Sequence, residues 1–128
     1  MSGEAPGDAH PRFRIWRRAD GIVQVVLTPG VPLAFADAVA ITEAIAEVSG
    51  GKQCLLLADV REASATDRPG RLEFGRRVDL VSAVALIVGG PLSRMMGNLL
   101  NTVNPSKTPL RMFDDEATAV AWLQELDS

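Results

Sequence analysis

The sequence predicts a single-domain α/β sandwich, with a mixed sheet of about five strands and helices mainly on one face. Three observations carry that expectation. Ala83-Val84-Ala85-Leu86-Ile87-Val88 is an uninterrupted apolar run followed by Gly89-Gly90-Pro91 and a helical repeat, the pattern of a buried strand feeding a helix through a glycine turn. Cys54-Leu55-Leu56-Leu57-Ala58 is a second apolar run of strand length, preceded by a helical stripe and a Ser49-Gly50-Gly51 stop. Asp20-Gly21 between two β-rich segments signals a hairpin, so the sheet opens with an antiparallel pair.

Residues 1–11 hold Gly3, Pro6, Gly7 and Pro11 with little to bury, and read as a disordered tail ahead of a domain spanning 12–128. His10 falls in that tail, where no fixed partner tunes it as an acid or base. In the first strand Phe13 and Ile15 alternate with Arg12, Arg14 and Arg18, which puts Trp16 on the arginine face; residues 22–27 form the second strand. Thr28-Pro29-Gly30-Val31-Pro32 breaks the sheet, and Ala34, Ala38, Ile41, Ile45 and Val48 mark one stripe of a helix over 33–48, with Asp37, Glu43 and Glu47 off it. After the 54–58 strand comes a polar stretch, 59–70, and a short helix over 71–78 directed inward by Leu72, Phe74 and Val78. Pro91 suits the first turn of the next helix, in which Leu92, Met95, Met96, Leu99, Leu100 and Val103 form a core-facing stripe closed by Asn104-Pro105. Residues 110–113 make the last strand. Asp114 or Asp115 caps a final helix ending near 126, with Ala119, Trp122, Leu123 and Leu126 inward.

A chain of 128 residues is of single-domain size, and 47% apolar with 23% charged residues matches a soluble globular protein. The net charge of -3 argues against a nucleic-acid partner, which demands an excess of Lys and Arg. Charge is unevenly placed: Arg12, Arg14, Arg17 and Arg18 crowd the start and Asp114, Asp115, Glu116, Glu125 and Asp127 the end. Two such ends can pair within a fold or between subunits. The single Cys54 forms no internal disulfide and reads as a small buried hydrophobe in a reducing compartment. No apolar stretch approaches the roughly 18 residues of a membrane span. Met1-Ser2-Gly3-Glu4 also lacks the basic-then-apolar order of a signal peptide, so a cytoplasmic location is expected.

The element order, together with Ala85-Leu86-Ile87-Val88, Pro91-Leu92-Ser93-Arg94-Met95-Met96-Gly97-Asn98, Arg111-Met112-Phe113 and Ala119-Val120-Ala121-Trp122-Leu123, resembles a group of small bacterial STAS-like proteins. These are similar in fold to the sporulation anti-sigma-factor antagonists. The resemblance covers nearly the whole chain after the tail and implies a STAS-like domain. In those antagonists the loop after the central strand carries Asp-Ser-x-Gly, and phosphorylation of that hydroxyl releases a partner kinase. The corresponding stretch here is Asp59-Val60-Arg61-Glu62-Ala63-Ser64-Ala65-Thr66-Asp67, which lacks that motif and offers only Ser64 and Thr66 as hydroxyls.

Asp59, Ser64, Thr66, Asp67, Arg68 and Arg71 therefore form a candidate switch and interaction loop. A phosphate there adds roughly 1.5 to 2 negative charges and would recruit Arg68 or Arg71 or repel a partner. The plainer reading makes Ser64 and Thr66 ordinary loop hydroxyls and Asp67 the cap of the next helix. Gly89, Gly90, Ser93 and Arg94 form a candidate anion site, because free N–H groups and the helix dipole point there. The spacing of a nucleotide loop is missing, and a tight turn alone accounts for the glycines. Met95, Met96, Leu99 and Leu100 suit a flexible apolar pocket as well as a core, and the fold resembles CRAL-TRIO-type lipid carriers too; a cavity of several hundred Å3 is what such a role requires.

The inventory for catalysis is thin: there is no Cys-His or Ser-His pairing beyond His10, no Cys/His cluster and no His-Glu-x-x-His. No catalytic residue, metal or cofactor is expected. The expected function is that of a non-enzymatic STAS-like interaction or regulatory module, with the 59–71 loop and the turn at Gly89 as its contact surface; the alternative is a small-ligand or lipid-binding protein of CRAL-TRIO-like type. A regulatory protein partner is expected, and neither nucleic acid nor a membrane span. Helices on one face would leave the other, with Trp16, in need of a cover, so a homo-oligomer is also expected.

Overall fold

The computed structural model of the chain describes residues 8–10, 12–30, 32–62, 66–102 and 108–127. Asp8–His10 (β1), Phe13–Arg17 (β2) and Val23–Leu27 (β3) form an antiparallel meander. Cys54–Asp59 (β4), Val81–Ile87 (β5) and Leu110–Phe113 (β6) extend it in parallel, giving a mixed sheet of six strands in sequence order. The helices are Phe35–Val48 (α1), Arg68–Arg76 (α2), Pro91–Thr102 (α3) and Glu116–Asp127 (α4), with a 3-10 turn at Val78–Leu80.

Because consecutive parallel strands are joined by right-handed crossovers, α1, α2 and α3 fall on one face. The larger core lies beneath them, built from Ile15, Val25, Leu56, Val84 and Leu86 of the sheet with Ile41 and Ile45 of α1. After β6 the chain enters α4, which turns back across the opposite face. It seals a second cluster of Ile22, Leu57, Ala83, Ala85, Ile87, Ala119 and Leu123, with Phe113 and Trp122 in ring contact at 5.5 Å. Asp115 caps α4, its carboxylate accepting from the Thr118 N–H at 2.8 Å. At the same helix start Glu116 accepts from Gln24 at 3.2 Å, which satisfies a buried amide on β3.

Several expectations are corrected here. Asp8–His10, read as part of a tail, form β1, because the outer edge of β2 offers main-chain donors and acceptors that any sequence can pair. The short helix begins at Arg68, since Asp67 caps it and Pro69 is compatible with a first turn. Asp37 is buried: its carboxylate accepts from the Ala34 N–H at 3.1 Å and from Arg12, so it serves the helix start and holds the residue that leads into β2. On α3 the inward face carries Ser93 and Gly97, while Met95 is 54% exposed. Gly97 lies close against β6, for a Cβ there would come 2.6 Å from the Met112 Sδ and the methionine side chain would have to shift. Finally, the second face does not wait on another subunit throughout, because α4 packs over β4, β5 and β6.

Leu57, fully buried on β4, and Met95, on the exposed side of α3, should respond oppositely to truncation. Leu57→Ala is expected to lower the free energy of unfolding in urea by about 2 to 5 kcal/mol. Met95→Ala should change it by no more than about 0.5 kcal/mol.

Candidate functional site

The C-terminal ends of β4 and β5 carry the loops in which the sequence places its candidates. Asp59 ends β4, and its buried carboxylate is gripped by Arg61, Nε at 3.0 Å and Nη2 at 2.6 Å, and by the Arg61 N–H at 3.1 Å. The loop thus folds back on the strand that launches it. It is joined to its neighbours through the main chain: Val60 N–H donates to Ile87 O at 3.0 Å and Gly30 N–H to Glu62 O at 3.0 Å. The Arg61 stem lies beside Gly89. Tertiary folding therefore brings the β4–α2 loop next to the glycine turn before α3.

Farther along, Thr66 forms an isolated bridge with Leu33 and its hydroxyl donates to Leu33 O at 3.2 Å. Asp67 caps α2 by accepting from the Gly70 N–H at 2.7 Å. Arg68 is exposed on the first turn, and half-buried Arg71 reaches back to Thr66 O at 3.4 Å. Ser64 lies outside the described residues. A signal for the Asp67 cap is legible in the sequence: Asp67-Arg68-Pro69-Gly70 has the spacing of the antagonists' Asp-Ser-x-Gly, with Arg68 where the hydroxyl stands. The structure gives that frame a physical basis, since the acid caps the helix through the N–H of the glycine three residues on.

The glycine turn is closed from within. Ser93, buried at the start of α3, accepts from the Gly89 N–H at 2.7 Å and the Gly90 N–H at 3.1 Å, occupying the donors that an anion would use. Arg94 is exposed and paired with Asp114, a surface ion pair worth little by itself. The two candidate groups are thus adjacent but unlike: the turn consumes its own polar groups, whereas the start of α2 leaves Arg68 exposed.

Arg68, Arg71 and Arg76 belong to α2 and Arg77 follows it, against a single acid, Glu73. Arg76 holds Glu73 through hydrogen bonds of 2.9 and 2.6 Å, and these hold its carboxyl below the usual glutamate range despite the opposing effect of burial. The Arg76 guanidinium is raised in turn by the same pair. Exposed apolar side chains also occur on the helices of this layer: Phe35 on α1, Leu72 on α2 and Met95 on α3. Elsewhere, burial pushes the half-buried Cys54 thiol up, with Arg17 partly offsetting it, which disfavours the thiolate a nucleophile needs. Among the described residues no group of three His, Cys, Asp or Glu is placed to hold a metal ion, and no helix is long and apolar enough to cross a membrane.

Gly70 anchors this arrangement, because a Cβ there would come within 2.5 Å of Leu33 O and 3.0 Å of the Ala34 carbonyl carbon, both main-chain atoms that cannot swing aside. Gly70→Ala is therefore expected to cost about 1 to 3 kcal/mol in urea unfolding. Gly90→Ala, with nothing within 4 Å of its new Cβ, should stay within about 0.5 kcal/mol of the parent chain.

Comparison with known proteins places this geometry. No curated protein matches the chain. A solved structure of an uncharacterised protein of the DUF3478 family from Shewanella loihica PV-4, described as having a SpoIIAA-like fold, is 22% identical. It superposes with a TM-score of 0.62 over 96% of this chain and 98% of its own. The anti-sigma factor antagonist SpoIIAA in its unphosphorylated form is 15% identical, with a TM-score of 0.58 over 88% of this chain and 97% of its own. The SpoIIAA-like (STAS) architecture expected from the element order is therefore the fold observed. A family model for a domain of unknown function, DUF7793, matches residues 15–127, and the chain belongs to that family.

Proposed function

We propose that the chain is a non-enzymatic regulatory module, working in the cytoplasm, that docks an acidic surface of a partner protein on the start of α2 and the loop before it. The charge of that segment carries the reading. Arg68 is exposed and Arg71 half-exposed at a helix start where the dipole favours anions, exposed Leu72 follows Arg71 in the chain, and the one acid of α2 is already held by Arg76. The SpoIIAA likeness supports a protein partner, and it does not favour the lipid-carrier alternative.

In this reading Arg68 keeps a permanent positive charge at the position where the antagonists' motif has its hydroxyl. Ser64 and Thr66 remain as the hydroxyls on which a phosphate would act, setting negative charge beside Arg68 and Arg71 and repelling an acidic partner. At Thr66 the modification would also forfeit the hydrogen bond to Leu33 O. Self-association belongs to the same proposal: Arg14 and Trp16, stacked at 5.8 Å on β2, lie outboard of the strands that α4 covers and offer a second copy a patch to bury.

The tagged chain is expected to retain its partner from an extract of the native cells, and the Arg68→Glu/Arg71→Glu variant to lose it by tenfold or more, about 1.4 kcal/mol, with unfolding unchanged. Raising the salt should weaken wild-type capture in the same direction. Equal recovery of the same protein by both chains would exclude this surface. Light scattering on the purified protein should give a dimer mass that Trp16→Ala reduces to a monomer; a monomer mass for the unaltered chain would remove the self-association part.

A further inference from the structure

Two helix ends in this molecule carry charge of the wrong sign for their own dipoles, and the two signs are opposite. The first turn of α2 holds Arg68 and Arg71 with no acid beyond the capping Asp67, although the positive end of a helix favours anions. The last turn of α4 holds Glu125 and Asp127 and no base, although the negative end favours cations. Arg68, Glu125 and Asp127 are exposed and Arg71 is half-exposed. Each end also carries an apolar side chain in water. Leu72, 48% exposed, follows Arg71, and Leu126, 47% exposed although its helical stripe is expected inward, separates Glu125 from Asp127. Arg17 and Lys52 line a groove with Asp127, yet neither is in an ion pair with it among the described residues.

We infer that the start of α2 in one copy docks on the end of α4 in a second copy, Arg68 and Arg71 against Glu125 and Asp127, with Leu72 and Leu126 covered between them. Within one chain these ends do not meet. α2 lies in the layer of α1 and α3 and starts beyond the C-terminal end of β4, beside Leu33 and Ala34. α4 lies on the opposite face and ends at the turn between β2 and β3, where Gln124 donates to Asp20 at 3.3 Å. The two surfaces are therefore diagonally opposed across the sheet. A pair of copies using both at once would have to lie on both sides of each other, so each copy turns one surface to each of two neighbours. The contact is heterologous and propagates head to tail instead of closing as a dimer. Opposite charge sets its orientation and its response to salt, and the leucines supply apolar area withdrawn from water. The inference rests on the reading of α2 as a surface for acidic protein, and a neighbouring copy seated there would keep an acidic partner off it.

The test is sedimentation equilibrium of the full chain over a concentration series at about 10 mM and about 1 M salt, which shortens the screening length from about 30 Å to about 3 Å. At low salt the average mass should keep rising with concentration past that of a dimer, and at high salt the rise should cease. The Arg68→Glu/Arg71→Glu chain and the Glu125→Lys/Asp127→Lys chain should each lose the rise. Mixed in equal amounts they should regain it, because an acidic end then meets a basic one at every junction. Should a doubly substituted chain fail to fold, Arg68→Gln and Glu125→Gln, each removing one charge, should still weaken the association by roughly two- to fivefold. Glu125→Lys/Asp127→Lys should leave capture of the regulatory partner unchanged, whereas Arg68→Glu/Arg71→Glu removes it, so the two readings fail separately. A mass that stops at the dimer at low salt, growth indifferent to these substitutions, or a mixture that behaves as its components do would overturn the contact. Partner capture that still required Arg68 and Arg71 would then leave the partner reading standing.

Discussion

Everything in this molecule depends on burying β4 and β5 on both faces. Leu56, Val84 and Leu86 point into one hydrophobic cluster, and Leu57, Ala85 and Ile87, interleaved with them along the same strands, point into another. Parallel strands placed centrally have no face to offer water. Two layers are therefore obligatory, and the chain supplies both: three crossover helices on one side by the handedness of their connections, and α4 on the other by reversing after β6. The site follows from the same constraint, because the loops that leave the carboxyl ends of these strands are forced into one another's company.

Those loops differ in what they do with their polar groups, and that difference separates structure from function. Ser93 satisfies two glycine N–H groups, Asp59 is tied to Arg61, Thr66 bonds to Leu33, and Asp67 caps α2. Each uses its chemistry within the fold. Arg68 at the start of α2 is exposed, and Phe35, Leu72 and Met95 are apolar side chains exposed on the helices of the same layer. Such a mixture suits recognition of another protein, where charge steers the encounter and apolar area supports the contact. Beneath that surface the short helix lies over incompletely filled space, so one element has both an outward and an inward aspect.

Legibility in the sequence varied with the kind of force at work. The apolar runs at 54–58 and 83–88, the hairpin at Asp20-Gly21, the stripe of Ala38, Ile41 and Ile45 and the cap at Asp115 are all seen where local pattern places them. Local signals failed where a distant partner set the outcome. The stripe containing Met95 was apolar enough to be a core face, yet Met95 is exposed and Ser93 and Gly97 face inward, Gly97 close against Met112 of β6. Asp37 looked like a solvated acid until Arg12, twenty-five residues away, supplied its counter-charge. At the site, the spacing of Asp67 and Gly70 was readable, but their hydrogen bond, and the closure of the glycine turn by Ser93, were not.

The sequence by itself determined the fold class, the order of the elements and the identity of the two central strands, because alternation, helical repeat and turn chemistry act between residues close along the chain. Only the tertiary structure decided the phase of α3, the return of α4 across the second face, the sixth strand, the residual cavity and which arginines remain outward. Those outcomes rest on contacts between segments far apart in sequence, and on whether packed surfaces meet without leaving space, neither of which periodicity encodes.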